Sequence, residues 1–375
     1  MDPSQLTVKL ARGDVSVEVS GDATVVSDAL RSLRDGGLGA LAGFFGMSSQ
    51  AGGVVPTTAV SGGSAAAAPA SPVSPGAHTT AVPATGGSGA GATTALSPGS
   101  VHRYAIDRVL IPRTGQFATD LDGDGTPENA FSRLAAAIDG IGLALQAEED
   151  AAVSGHVTVH LLTIRTAGTN DPDPTAASVS LQSSKPLNPQ AGAVAPDSSE
   201  APAMFSGRFS DAGFSTNMPH PVTAALYLGA FGRTAPVRVV LNGARIELTV
   251  SADGSGLTGA IHGSIRKTDV DTIVGPAIAK ALTGMIAANP TGAAEQQLRN
   301  LFDTGGCTNP DGTKAVAGDG RIDVCELLTN HLFSTLLSPD VQIFAGDGSY
   351  APSPSKTAPD SLSVGLGFTA SAAPS

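Results

Sequence analysis

From Gly36 to His102 the chain carries no Asp, Glu, Lys or Arg, and residues 48–100 are almost wholly Gly, Ala, Ser, Thr, Pro and Val. Such a stretch lacks the large apolar side chains whose burial offsets backbone ordering entropy, so it cannot join a core. It therefore divides the 375 residues into three expected parts. Residues 1–46 read as a β-hairpin plus helix, a docking or targeting unit; residues 47–101 as a disordered linker; and residues 102–372 as the main α+β domain.

The hairpin expectation rests on alternation in 6–11 and 15–19 around Arg12-Gly13-Asp14, with Gly13 supplying a positive φ. That triplet matches an integrin-type adhesion signal, but any tight turn favours the same residues. After Ser20-Gly21-Asp22, the spacing of Val25, Val26, Ala29, Leu30 and Leu33 predicts a helix that Asp35-Gly36-Gly37 ends. So few ordered residues bury too little surface to fold alone. The unit is expected to dock on the main domain, on itself or on a protein partner. The apolar run 36–46, with Phe44 and Phe45, is either an extension of that unit or a contact for a membrane surface or partner.

The chain is acidic, with 33 Asp+Glu against 21 Lys+Arg and a net charge of −12. That excludes nucleic acid as a partner, since phosphates need a basic face. No run of 18 apolar residues exists, and no transmembrane segment is expected. Cys307 and Cys325 lie too far apart for a CxxC knuckle and have no His at ligand spacing, which favours a disulfide worth about 3 kcal/mol. A disulfide needs an oxidising compartment, extracytoplasmic or at the cell surface. Met1-Asp2-Pro3-Ser4-Gln5 nevertheless shows neither the basic nor the apolar region of a secretory signal.

In the main domain, Tyr104–Ile111 alternates as a strand, and then comes the sharpest motif, Asp120-Leu121-Asp122-Gly123-Asp124-Gly125-Thr126-Pro127-Glu128-Asn129. Asp120, Asp122 and Asp124 stand at positions 1, 3 and 5 of an EF-hand-like loop. Gly125 stands at the turn, Thr126 at the carbonyl position and Glu128 at position 9, a pattern that converges oxygens on Ca2+. Position 12 is Phe131 instead of Glu, so the loop departs from an EF-hand and resembles the DxDGDG loops of thrombospondin type 3 and related extracellular repeats. The bland alternative is a solvated acidic turn capping a helix.

A helix is expected from Asn129 to about Ala151, ending in a solvated Glu148-Glu149-Asp150 cluster. His156–Ile164 then reads as a strand with His156 and His160 on one face, roughly 13 Å apart and unable to share a metal. Strand patterns follow at Ala177–Gln182, Phe205–Phe214, Val222–Leu228, Val237–Leu241, Ile246–Val250 and Leu257–Ile265. Hairpin turns are expected at Asn242-Gly243 and Ala252-Asp253-Gly254. These short intervals predict an antiparallel β-sandwich or incomplete barrel, with helices over Asp269–Ala288 and Ala293–Phe302 packed on it.

A second candidate loop runs from Asp303 to Glu326. Asp319, Arg321, Asp323 and Glu326 fall at EF-hand positions 5, 7, 9 and 12, but position 1 is Ala315. If Asp303 supplies that ligand, a long insertion separates the halves, and a Cys307–Cys325 bridge would hold them together. The alternative is a disulfide-stapled turn whose acids cap a helix.

The order of these parts resembles a group of uncharacterised secreted and lipoprotein-type proteins of myxobacteria over residues 102–372. The resemblance is carried by the DxDGDG loop, the Asn242–Glu247 strand and the tails Asn330–Val341 and Asp360–Phe368. It implies calcium loops and an extracytoplasmic setting, and no reaction. The chain has no G-x-S-x-G, H-E-x-x-H, Walker A or dinucleotide fingerprint. The reading is thus a calcium-stabilised surface or assembly module, with two alternatives: a hydrolase with an unrecognised active site, or a partner-docking protein acting through residues 1–46. His220, His262 and His331 are expected to be surface or structural residues.

Overall fold

The computed structural model describes residues 6–12, 15–21, 96–186, 196, 199–210, 213–216, 222–230, 235–355 and 357–373. The expected helix after Ser20, the apolar run 36–46 and nearly all of the linker lie outside them. The hairpin is formed as the alternation predicts: β1 (Leu6–Arg12) pairs antiparallel with β2 (Val15–Gly21).

The remaining sheet is a closed barrel and not a sandwich. Its strands are β3 (Val101–Leu110), β4 (Val159–Thr166), β5 (Ala176–Ser184), β6 (Ala203–Ser210), β7 (Gly213–Thr216), β8 (Ala224–Leu228), β9 (Val237–Val250) and β10 (Gly256–Arg266). The short hairpin β11 (Gln342–Phe344) and β12 (Tyr350–Ser353) stands apart from the sheet, and β13 (Ser361–Ala372) completes it. Around the ring the order is β3-β4-β5-β6-β7-β9-β10-β13 and back to β3, all antiparallel. The last strand inserts between β10 and β3, and the β9–β10 pairing leaves no gap, so the expected incomplete barrel is closed. Closure leaves no open edge in the ring, which is how a barrel avoids edge-to-edge aggregation.

Two local expectations fail. Asn242-Gly243 is not a hairpin turn: β9 runs unbroken through it, with Gly243 at φ +60°, because β8 pairs with its first half and β10 with its second. Conversely, Phe205–Phe214 is two strands, β6 and β7, paired with each other.

The helices are α1 (Ala130–Gly140), α2 (Leu145–Ser154), α3 (Lys267–Ala288, with a π-helical turn over Val270–Val274), α4 (Ala293–Phe302), α5 (Val324–Thr329) and α6 (His331–Leu336). The single helix expected over Asn129–Ala151 breaks at Gly142, whose φ of +96° no helix holds. By length and composition α3 is apolar enough to cross a membrane, the one such helix among the described residues. Here its stripe of Val270, Val274, Ile278, Leu282 and Ile286 is buried in the core. The same continuous core holds Leu162, Val179, Phe205, Ile246 and Phe368 from the barrel and Phe131, Leu134 and Ile138 from α1.

Candidate metal centre

Between β3 and α1 the chain makes a strap that lies on β13. Leu362, Val364, Leu366 and Phe368 point to the core, so by strand alternation Ser363, Gly365 and Gly367 face the strap. Asn129, the N-cap of α1, accepts from Gly365 N–H at 3.1 Å and donates to Gly365 O at 3.0 Å, while Ser363 Oγ accepts from Ala130 N–H at 2.7 Å. Phe117 sits at φ +51°, costly for a bulky side chain. Its carbonyl lies 3.1 Å from His262 Nδ1, and its ring lies where a Cβ on Gly367 would come within 2.2 Å of it. Those two glycines are what admit the strap.

The acidic loop is tied at its base by a bridge in which Thr119 N–H reaches Glu128 O (3.2 Å) and Glu128 N–H reaches Thr119 O (3.0 Å). Inside it, Asp120 accepts from Gly123 N–H (2.7 Å) and Gly125 N–H (2.9 Å). Asp124 accepts from Thr126 N–H (2.7 Å) and Glu128 from Leu121 N–H (3.3 Å). Gly123 and Gly125 take φ of +87° and +84°, the left-handed turns that aim these N–H groups inward. Leu121 is a plug, buried against Val341 and Ile343 from the tail. Arg245 of β9 donates to the carbonyls of Asp120 and Leu121, placing a fixed positive charge at the base of the loop.

The result is convergence. One carboxylate oxygen from each of Asp120, Asp122, Asp124 and Glu128 lies within 4.8 Å of all the others. Asp122 is 2% exposed and Glu128 8%. Carboxylates at that spacing, half of them withdrawn from water, repel one another, and a bound cation offsets that repulsion. An all-oxygen carboxylate set suits a hard divalent ion. These residues therefore fit a metal ion.

Against protein-family models, curated proteins and solved structures, the chain has no match.

The second loop folds differently. Cys307 and Cys325 form the expected disulfide, and Asp303 does return to the far half of the loop. Both of its oxygens, however, accept backbone N–H groups, from Gly318 (2.5 Å) and Gly320 (2.7 Å). Glu326 likewise accepts from Gly305 N–H (2.6 Å) and Asp323 N–H (2.8 Å), making with Asp323 the capping box of α5. Asp319 accepts from Arg321 N–H (2.8 Å), and Arg321 pairs with Asp323 at 3.1 Å. Arg299 also stands against Gly320. Among the described residues, Asp303, Asp319, Asp323 and Glu326 do not form a second converging group.

Two buried titratable groups escaped the sequence reading. The Glu148-Glu149-Asp150 cluster is not a solvated helix end: Glu149 is 0% exposed and accepts from Ala230 N–H at 2.7 Å, and Asp150 pairs with Arg108 at 3.0 Å. Burial pushes the Glu149 carboxyl up to about 7, against the opposing effect of its backbone hydrogen bonds. His156 and His160 do not share a strand face either, since His156 precedes β4 at φ +53°. His160 lines an apolar pocket with Val109 and Leu228, and burial holds it down at about 4. His262 is buried against the strap and not on the surface, whereas His220 lies outside the described residues.

Proposed function

We propose that the chain is a calcium-stabilised extracytoplasmic module for surface attachment or assembly, acting without catalysis, of the kind its myxobacterial resemblance implies. The observation that carries this is the convergence of four carboxylate oxygens within 4.8 Å in a loop already hydrogen-bonded into shape. Calcium is preferred to magnesium because it accepts many carboxylate oxygens in flexible geometry, whereas magnesium keeps several waters. An ion at Asp120–Glu128 joins the strap to β9 through Arg245 and to the tail through Leu121, so it fastens three distant segments of the chain. The disulfide supports an oxidising setting.

The test has two readings on protein from the native source. Elemental analysis after dialysis against calcium and magnesium together should find one calcium per chain and no magnesium. Protease added to intact cells should degrade the protein. A metal-free chain, or complete protection alongside cytoplasmic markers, would overturn the proposal.

A further inference from the structure

The strap borders more than the acidic loop. Between residues 110–117 on one side and α1 and α2 on the other runs a groove of about 900 Å³. That volume lies in the range of small-ligand sites, which are mostly apolar with a few placed polar groups. Its small and apolar lining includes Ile111, Pro112, Ala135, Ala136 and Leu145. Phe117 closes one side and at the same time walls a second groove of about 520 Å³ along β9 and β10. Phe117 holds this place in a conformation unusual for a bulky residue, anchored through its carbonyl to His262, and such strain concentrates where ligands are gripped.

The charged groups of the groove sort into two sets. At the α2 end Arg108 is neutralised by Asp150 through two bonds of 3.0 Å, and Gln146 locks that pair to the backbone of Val109 and Ile111. That end is satisfied. Arg113, on the strap wall, and Asp139, on the α1 wall, have no ion-pair partner among the described residues. A guanidinium from the strap and a carboxylate from α1 line one groove together with small apolar side chains, and the set matches a ligand of the inverse pattern.

We propose that this groove binds a small zwitterion with an apolar body, an amino acid or short peptide whose carboxylate meets Arg113 and whose ammonium meets Asp139. None of the four converging carboxylates lines it, so the site is separate from the metal centre.

The probe is the dipeptide leucyl-leucine, titrated calorimetrically into the full chain in excess calcium, beside its C-terminal amide and its N-acetyl derivative. Each block should weaken binding roughly tenfold or more, the size of one lost charged hydrogen bond. In Arg113→Gln the acid and the amide should bind alike; in Asp139→Asn the free and acetylated amines should. Both positions are exposed, and an unchanged melting temperature would establish that the variants fold. No saturable binding of the dipeptide at millimolar concentration would overturn the proposal, as would equal binding of the three compounds to the unaltered chain.

Discussion

Glu149 and His160 make opposite demands on pH, and the two should hide each other. Glu149 is ionised from 4.5 upward in the unfolded chain but only from about 7 when folded. Between those values the folded state holds a proton that the unfolded state has lost, so stability falls as pH rises. Integrated over the window, at 1.36 kcal/mol per pK unit, the fall is about 3 kcal/mol. His160 titrates at 6.5 unfolded and about 4 folded. Here the unfolded state binds the extra proton, so stability rises with pH by about 3 kcal/mol and is lost on acidification through the same window. From about pH 4.5 to 6.5 the slopes cancel. Urea unfolding at fixed calcium, from pH 4 to 7.5, reads this directly when each variant is compared with the unaltered chain, since every other titrating group drops out of the difference. Glu149→Gln should gain stability with rising pH by about 3 kcal/mol relative to the parent, and His160→Leu should lose as much. Profiles parallel to the parent for both variants would refute the claim that these two groups titrate from within the fold.

Three further outcomes follow from particular contacts. Replacing Cys307 and Cys325 by Ser should cost about 3 kcal/mol by the loop-closure argument, read as a lower urea midpoint equal to that of the reduced parent chain. Gly229→Ala should destabilise by about 1–3 kcal/mol in the same assay, because its Cβ would fall 1.9 Å from that of Ala152 and push α2 off the end of β8. Arg245→Met should destabilise the fold by about 1–3 kcal/mol without removing any carboxylate, since it frees the carbonyls of Asp120 and Leu121 that now hold the loop on β9, and a lower urea midpoint would show it.

How much of this was legible depended on range. The acidic loop could be read because its geometry is local: two glycines and four carboxylates within nine positions determine it. Helix α4 was read to the residue for the same reason, as its periodicity begins after Thr291-Gly292 and stops at Asp303. The closed barrel was not legible, because closure depends on β10 pairing with β13 across the whole helical region, and no local signal encodes that register. Asn242-Gly243 misled because the dipeptide has turn chemistry, while the partner strands on both sides of β9 and Tyr350 packed over Gly243 decide its actual course. Glu149 looked like a solvated helix end because only the docking of α2 on Gly229 and Ala230 buries it. Phe117, Arg245 and His262 carry the strap through contacts with residues more than a hundred positions away, beyond any pattern in the neighbouring sequence.

The central claim is that one cation in the Asp120–Glu128 loop is part of the folded structure. Extracellular calcium sites bind at about 10⁻⁴–10⁻³ M, and an ion at about 100 times its dissociation constant adds about 2.7 kcal/mol to the native state. For a domain of this size that corresponds to about 5–10 °C in melting temperature. Thermal unfolding with chelator, with excess calcium and with excess magnesium tests it in a single series, run on the parent chain and on Asp122→Ala. The account predicts a fall of about 5–10 °C on chelation, recovery with calcium and not with magnesium, and little response in the variant. A parent chain that melts at one temperature in all three conditions would contradict it and leave Asp120–Glu128 as an acidic turn at the start of α1.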